Sequence, residues 1–113
     1  MTERIANLLN EQIMKELYSG YLYLDMANYY NEQGLEGFEN WFYIQAQEER
    51  DHAMLIRTYL HNNDQKVTLL PIDAPQENYD DYAAPLHKTL SHEKEVTASI
   101  HNIFAAAHEE RDY

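Results

Sequence analysis

Four side chains of metal-binding type occupy positions where the helical pattern of the sequence predicts core hydrophobic residues. Glu16 falls in the apolar stripe of the first predicted helix, and Glu49 and His52 fall in that of the second. Glu93 takes the place of a core hydrophobic residue in the third helix. A buried carboxylate without a partner is costly enough that it is normally protonated or compensated by a positive charge. Each of the three glutamates therefore requires a proton or a cation nearby.

The neighbouring basic residues do not supply that charge. Lys15, Arg50 and Lys94 each stand next to one of these glutamates, but a step of one residue turns about 100° around a helix and points them away. Divalent cations are the economical alternative, because two of them nearly balance three or four carboxylates. A ligand set of carboxylate oxygens with a single imidazole is better suited to Fe²⁺ or Mn²⁺ than to Zn²⁺ in a closed structural site. The pattern thus predicts a carboxylate-rich site for divalent metal ions.

Glu48 and Tyr23 lie close to this set, and each has two interpretations. Glu48 adds a fourth carboxylate on the second helix, or is a solvated edge residue in contact with His52 one turn later. Tyr23 follows Glu16 by two turns on the same line of the first helix, or is a core tyrosine whose hydroxyl has found a partner. The remaining histidines are expected at the surface: His61, His87, His92, His101 and His108.

These residues belong to three long predicted helices, at about 2–33, 36–62 and 81–110. Thr2 is a suitable N-cap for the first helix, and Gly34 is placed to end it in the left-handed conformation. The short connection after Gly34 predicts that the first two helices are antiparallel. Residues 63–80 lose the helical period and could extend about 60 Å as a crossover, which would make the second and third helices parallel.

Composition excludes several other classes of protein. The chain has 113 residues, which predicts a single domain over 1–113, and with only three Gly and three Pro it favours an all-α fold. The net charge of -12 disfavours binding to nucleic acids and to anionic membranes. The absence of Cys excludes disulfides and zinc-thiolate sites. No apolar run reaches the length of a signal peptide or membrane span, so we expect a cytoplasmic protein.

Several segments, in order along the whole chain, carry a resemblance to a known family. The sequence resembles the prokaryotic, non-haem ferritins through Leu9-Asn10-Glu11-Gln12, Glu16-Leu17-Tyr18, Gly34-Leu35-Glu36-Gly37-Phe38, Asn40-Trp41-Phe42, Gln45-Ala46-Gln47-Glu48-Glu49 with His52, Lys66-Val67-Thr68-Leu69-Leu70-Pro71-Ile72 and His92-Glu93-Lys94. The resemblance implies a ferritin-like helical bundle whose hairpins are joined by one long crossover. It also implies an iron storage protein that oxidises Fe²⁺ with O₂ at a di-iron centre, without haem.

The same resemblance implies a role for each candidate residue. Glu16 would be a terminal iron ligand, Glu49 the bridging carboxylate and His52 the imidazole on the same iron. Glu93 would bind the second iron. Tyr23 would lie beside the centre as an electron donor, and Glu48 would belong to an accessory iron site. Ferric mineral would be stored inside a homo-oligomeric shell of 24 subunits.

Length is the point at which the sequence departs from that family. The resemblance implies about fifty further residues, including a fourth helix with another ligand near the second iron. We therefore expect a chain truncated after its third helix, with one apolar seam left open. The alternative is a non-catalytic, acidic assembly or interaction module that associates through this seam.

Overall fold

Three long helices and one crossover make up the described part of the chain. A computed structural model describes residues 1–75 and 77–111, and within these ranges it contains α-helices and no β-strand. Helix α1 spans Glu3–Glu32, α2 spans Glu36–Asn62 and α3 spans Ala84–Glu110. The predicted all-α architecture is confirmed, and the bounds of α1 and α2 agree with the prediction to within one residue.

Three residues lie outside the described part of the chain. Gln76 belongs to the predicted crossover, and Asp112 and Tyr113 follow the predicted third helix. Within the described ranges, none of the helices combines the length and the apolar character needed to cross a membrane.

The turn between α1 and α2 is built by local hydrogen bonds. The Thr2 hydroxyl accepts a hydrogen bond from the backbone N–H of Ile5 and caps the start of α1. At the other end Gly34 has a φ of 73°, and the N–H of Leu35 donates to the carbonyl of Tyr30 at 2.9 Å. This is the glycine-terminated helix end that the sequence predicted, and it turns α2 back along α1.

Helix α3 begins later than predicted. Its first residue is Ala84 rather than residue 81, so that the crossover extends over residues 63–83. The carboxylate of Asp81 accepts hydrogen bonds from the N–H groups of Ala83 and Ala84, at 3.1 and 2.8 Å. Asp81 therefore caps the helix from outside, and Pro85 occupies the first turn, where a missing N–H costs nothing.

The crossover runs back along α1 and is held by Asn10. The Asn10 side chain accepts from the N–H of Thr68 at 2.8 Å and donates to the carbonyl of Lys66 at 3.2 Å. Helix α3 is antiparallel to α1. Lys15 donates a hydrogen bond to Ser99 at 2.9 Å, whereas Tyr30, farther along α1, donates to the backbone carbonyl of Tyr82, before the start of α3. Helices α2 and α3 are both antiparallel to α1 and parallel to each other, as predicted.

The core lies along α1, and its composition differs in part from the predicted stripe. Two buried clusters form between α1 and α2: one of Leu22, Tyr23, Met26, Ala27, Tyr30 and Phe42, the other of Ala6, Ile13, Ala53 and Leu60. Leu24 of α1 and Phe38 and Trp41 of α2 belong to the apolar stripes of the sequence, yet all three are exposed. The helical period of the apolar residues was predicted correctly. The face of α2 and α3 that is buried depends on how each helix packs against α1.

An apolar groove separates α2 from α3. Both helices pack on α1 and, over the described residues, not on each other. The groove has a volume of about 820 Å³, and its walls include Ile5, Leu9, Ile56, Tyr59, Ile103 and Phe104. Phe104 is 70% exposed within it. The open apolar seam expected from the sequence is therefore present.

Gly20 allows α1 to approach α2 closely, and its replacement gives a test of this packing. A Cβ at Gly20 would lie 3.2 Å from the carbonyl oxygen of Ala46, whereas a Cβ at Gly37 would meet nothing within 4 Å. Gly37→Ala should stabilise the chain by about 0.5–1 kcal/mol through the higher helix propensity of Ala. Gly20→Ala should lose that gain in stability, because the new Cβ would force the backbone of α2 at Ala46 to move away. Urea unfolding of both variants measures the difference, and equal stabilisation would contradict the close approach.

Candidate metal centre

Three of the five predicted metal ligands converge between α1 and α2. One ligand atom from each of Glu16, Glu49 and His52 lies within 4.8 Å of the other two. His52 follows Glu49 by one turn, which places both on the same face of α2, opposite Glu16 on α1. The Nδ1 atom of His52 lies 3.5 Å from Oε2 of Glu49 and 3.8 Å from Oε2 of Glu16.

The two carboxylates are buried, and the imidazole is not. Glu16 and Glu49 are 5% and 9% exposed, whereas the His52 side chain is 56% exposed. His52 therefore lies on the open side of the cluster, towards solvent. The burial of both glutamates agrees with their positions in the apolar stripes.

Glu16 has one satisfied and one unsatisfied oxygen. Its Oε1 accepts a hydrogen bond from Nε2 of Gln12, which is also buried, at 2.9 Å. Its Oε2 is buried and has no hydrogen-bond partner among the described residues. The 3.8 Å separation from His52 is too long for a hydrogen bond. A divalent cation bound by Glu16, Glu49 and His52 would satisfy this oxygen.

The electrostatics of the pair are unfavourable without a cation. Burial is the main cause that raises the pKa of Glu49 well above its ordinary value, and the adjacent carboxylate of Glu16 raises it further. Glu93 and Glu48 add smaller repulsions. Two buried carboxylates at this distance cannot both be charged unless something positive lies between them. At neutral pH the metal-free pair therefore holds a proton, which a metal ion would displace.

Glu93 was predicted to be buried, and that prediction was wrong. It is exposed on α3, and its neighbour His92 is buried in its place. The buried face of α3 is rotated by one residue, or about 100° about the helix axis, from the predicted face, so that His92 is buried where Glu93 was expected. The apolar stripe of α3 faces the groove instead of α1. The Glu93 carboxylate accepts a hydrogen bond from the Tyr23 hydroxyl, and its charge adds to the repulsion at Glu49.

Tyr23 is buried, and its hydroxyl links α1 to α3. Burial, followed by the hydrogen bond to Glu93, raises the pKa of Tyr23, so that the phenol keeps its proton at neutral pH. Glu93 is not one of the three converging residues. Glu48 is exposed on α2 beside Glu49.

His92 is the residue at this site that the sequence did not reveal. It was predicted to lie at the surface, yet it is buried with Nε2 at 2.6 Å from the hydroxyl of Ser19. The Ser19 hydroxyl also donates to the carbonyl of Lys15 at 2.9 Å, so that Ser19 joins His92 to the backbone of α1. Burial lowers the pKa of His92, which favours the neutral imidazole. No spacing in the sequence distinguished His92 from the other histidines.

Comparisons with known proteins agree with this helical arrangement. The family model described as Ferritin-like domain matches residues 6–113. The bacterial non-heme ferritin of Campylobacter jejuni is 34% identical over 113 residues, which is all of this chain and 68% of that relative. A crystal structure of an open pore ferritin from the archaeon Archaeoglobus fulgidus matches with a TM-score of 0.96 and 38% identity, over 99% of this chain and 68% of that one.

Both the fold and the sequence define the class as a ferritin-like helical protein. The chain belongs to the ferritin family. A probable bacterial non-heme ferritin-like protein of Haemophilus influenzae, 33% identical over 113 residues, is a further relative.

Replacing Glu49 by Gln should stabilise the metal-free chain increasingly as the pH rises. The pKa of Glu49 is raised in the folded chain above its ordinary value of 4.5, so the folded state binds more protons than the unfolded state. The stability from that proton is complete below pH 4.5 and is lost as the pH rises through the folded-state pKa. Gln keeps the shape of the protonated acid at every pH.

Thermal unfolding in a chelator, from about pH 5 to about pH 8, measures the effect. The Tm difference between Glu49→Gln and the wild type should widen with pH, whereas Glu11→Gln, at an exposed position on α1, should give a constant difference. A difference for Glu49→Gln that stays constant or narrows would contradict the raised pKa.

Proposed function

We propose that this chain oxidises Fe²⁺ to Fe³⁺ with O₂ at a di-iron site. The observation that carries the proposal is the buried cluster of Glu16, Glu49 and His52, with its unsatisfied carboxylate oxygen, in a member of the ferritin family. Membership of that family supports iron storage and ferroxidase activity at the level of the family. The donor set of carboxylates with one imidazole suits Fe²⁺.

In this proposal each residue has a separate role towards the iron substrate. Glu16 and His52 bind the first Fe²⁺, and Glu49 bridges the two ions. Glu93 binds the second ion from the α3 side. Its carboxylate is oriented by the hydrogen bond from Tyr23. Binding of Fe²⁺ releases the proton that the two buried carboxylates share, because a cation then compensates their charge.

Two ferrous ions held close together can give two electrons to one O₂ molecule. This avoids release of superoxide, the product of a one-electron reduction, and the bridging carboxylate of Glu49 sets the spacing. Tyr23 lies beside the site as a further one-electron donor. Exposed Glu48 is suited to an accessory iron site, because its carboxylate is open to incoming ions.

We further propose that copies of the chain assemble into a shell in which ferric mineral is stored in the cytoplasm. The apolar groove between α2 and α3 supports association, because an exposed apolar surface of this size normally becomes covered. The same groove supports the second candidate function, a non-catalytic assembly module. The two candidates differ in whether the Glu16, Glu49 and His52 cluster oxidises iron.

Glu49→Ala should lower the rate of aerobic Fe²⁺ oxidation by roughly tenfold or more, since changes in even the outer shell of metal sites have effects of 10–100-fold. Glu49 is the residue that would contact both ions. The rate is followed as ferric absorbance, and size-exclusion chromatography shows whether the ferric product elutes with an assembled protein. Asp51→Ala, which removes an exposed carboxylate from the same helix, should keep the wild-type rate.

Equal rates for Glu49→Ala and the wild type would overturn the ferroxidase proposal. If the chain were then still assembled, the interaction module would be the remaining function. Circular dichroism of each variant establishes that helix content is unchanged.

A further inference from the structure

The apolar groove between α2 and α3 runs along most of the molecule. Its larger part, of about 820 Å³, lies where Ile56 and Tyr59 of α2 face Phe104 of α3. A second apolar pocket, of about 440 Å³, lies towards the other end, between Trp41 and Leu86. Leu86 and Phe104 are about 27 Å apart along α3 at 1.5 Å per residue. An occupant that covers the whole groove must therefore be as long as a helix of about five turns.

Helix α3 presents a regular row of residues to this groove. The row, which we call the α3 stripe, advances in alternating steps of four and three residues: Leu86, Leu90, Glu93, Thr97, Ile100, Phe104 and Ala107. Parallel helices that pair in a coiled coil use this spacing. Leu90 is 60% and Phe104 70% exposed. Of the 27 residues of α3, all of which the structure describes, three are buried. The chain alone thus leaves most of the apolar surface of α3 uncovered.

The exposed area of the chain is large enough for one further interface. The chain exposes 7542 Å², whereas a compact monomer of 13.4 kDa exposes about 6,500 Å². The excess of about 1,000 Å² is somewhat more than the roughly 800 Å² that each partner buries in a stable protein–protein interface. A single partner chain is therefore sufficient to cover it.

A two-fold dimer can cover the groove in both copies at once. Helices α2 and α3 pack on α1 and, over the described residues, not on each other, and the bundle is 22 by 21 Å across. The three helices thus occupy three corners of a square, and the groove is the fourth. A two-fold axis parallel to the helices, beside the α3 stripe, would place α3 of the partner subunit in this corner. The same rotation would place α3 of the first copy in the groove of the partner, so that the assembly is closed.

The face of α3 opposite α1 would contact α2 of the partner subunit in this dimer, and the two faces carry opposite charges. Lys94 is two residues beyond the buried His92, or about 200° around the helix, so it points away from α1. On α2, Glu48 is seven residues after the groove residue Trp41, which places both on the same side of the helix. Lys94 of one copy would therefore face Glu48 of the other.

The two charged residues would also lie at the same level. Glu93 lies close enough to Glu49 for the two carboxylates to repel each other, so they share one level of the bundle. A two-fold axis parallel to the helices preserves that level, and Lys94 and Glu48 are the neighbours of these two residues. Neither Lys94 nor Glu48 forms an ion pair within the described part of the chain. Each is available to pair across the interface, where the pair occurs twice.

We propose that a second copy of this chain covers the groove, with α3 of each copy packed between α2 and α3 of the other. Because Glu93 belongs to the α3 stripe, the contact brings the partner's Glu93 to the open side of the cluster of Glu16, Glu49 and His52. The two Glu93 carboxylates then face each other across the axis, where a divalent cation compensates their charge. This role of Glu93 rests on the proposed function, whereas the dimer itself does not.

Disulfide cross-linking tests the arrangement in the full chain, which contains no cysteine of its own. Ile100→Cys places a thiol on the α3 stripe beside the axis. After mild oxidation in Mn²⁺, a denaturing gel without reductant should show a cross-linked band of twice 13.4 kDa. Ala98→Cys, an exposed position of α3 outside the stripe, is the matched control and should give no cross-link. Leu55→Cys should give none either, because the two α2 helices lie at opposite edges of the dimer.

Two results of this experiment would overturn the proposal. A cross-link through Leu55→Cys and not through Ile100→Cys would place α2 at the axis instead of α3. Absence of a cross-link in Ile100→Cys, with a wild type that sediments as a monomer at every concentration, would leave the groove to another occupant. All substituted positions are exposed, and circular dichroism shows that each variant retains its helices.

Charge reversal tests the contact between α3 and the partner's α2. In sedimentation equilibrium, Lys94→Glu and Glu48→Lys should each weaken the dimer by roughly tenfold, because the ion pair occurs twice. Glu48→Lys lowers the net negative charge, so a general charge effect would strengthen the dimer instead. The double variant restores the pair and should recover most of the wild-type Kd. A double variant no tighter than either single variant would contradict the pairing.

The dependence on Mn²⁺ tests the role of Glu93. The wild-type dimer should dissociate several-fold more readily in a chelator than in Mn²⁺, and Glu93→Gln should lose this difference. Glu95→Gln, an exposed position on the same helix, should keep it. A difference that persists in Glu93→Gln would show that the partner's Glu93 is not at the site.

The rate of Fe²⁺ oxidation separates this inference from the proposed function. If Glu49→Ala oxidises Fe²⁺ as fast as the wild type while Ile100→Cys still cross-links, the ferroxidase proposal is wrong and the dimer stands. If Glu49→Ala is slower but Ile100→Cys gives no cross-link, the ferroxidase proposal stands and the dimer is wrong.

Discussion

The burial of two carboxylates against each other is the constraint on which the site depends. Glu16 and Glu49 face each other from antiparallel helices, with one oxygen of Glu16 left unsatisfied. Such a pair is destabilising in a metal-free protein, because at neutral pH it must retain a proton that neither carboxylate would normally hold. A divalent cation bound between the two carboxylates would remove this cost. The stability of the fold and its affinity for metal are therefore coupled through these two residues.

Helix α1 is the element that makes this constraint possible. It contributes Glu16, the supporting Gln12 and the close approach at Gly20, and both α2 and α3 pack against it. Since α2 and α3 do not contact each other over the described residues, the site is enclosed on the α1 side and borders an apolar groove on the other. Glu16 lines that groove, so whatever covers the groove also changes the surroundings of the candidate ligands.

Much of the fold followed from local sequence patterns, and the errors have local causes. The ends of α1 were predictable because Thr2 and Gly34 act through bonds to nearby backbone groups. The start of α3 was predicted three residues too early, because Asp81 was assigned to the helix. Its side chain caps the helix from outside. The cluster of Glu16, Glu49 and His52 was predictable, since polar residues within apolar stripes of antiparallel helices must meet. The predicted burial of Glu93 and exposure of His92 were interchanged, because the apolar period fixes the contact face of a helix only to within about one residue, or 100°.

The central claim is that Glu16, Glu49 and His52 together bind iron. Diffraction from Fe²⁺-soaked crystals, recorded at the iron absorption edge, locates the ion directly from its anomalous scattering. We expect an anomalous peak between the Oε2 atoms of Glu16 and Glu49 and the Nδ1 atom of His52, with Glu93 on the adjoining side. Iron found only at exposed carboxylates, with no peak among these three residues, would contradict it.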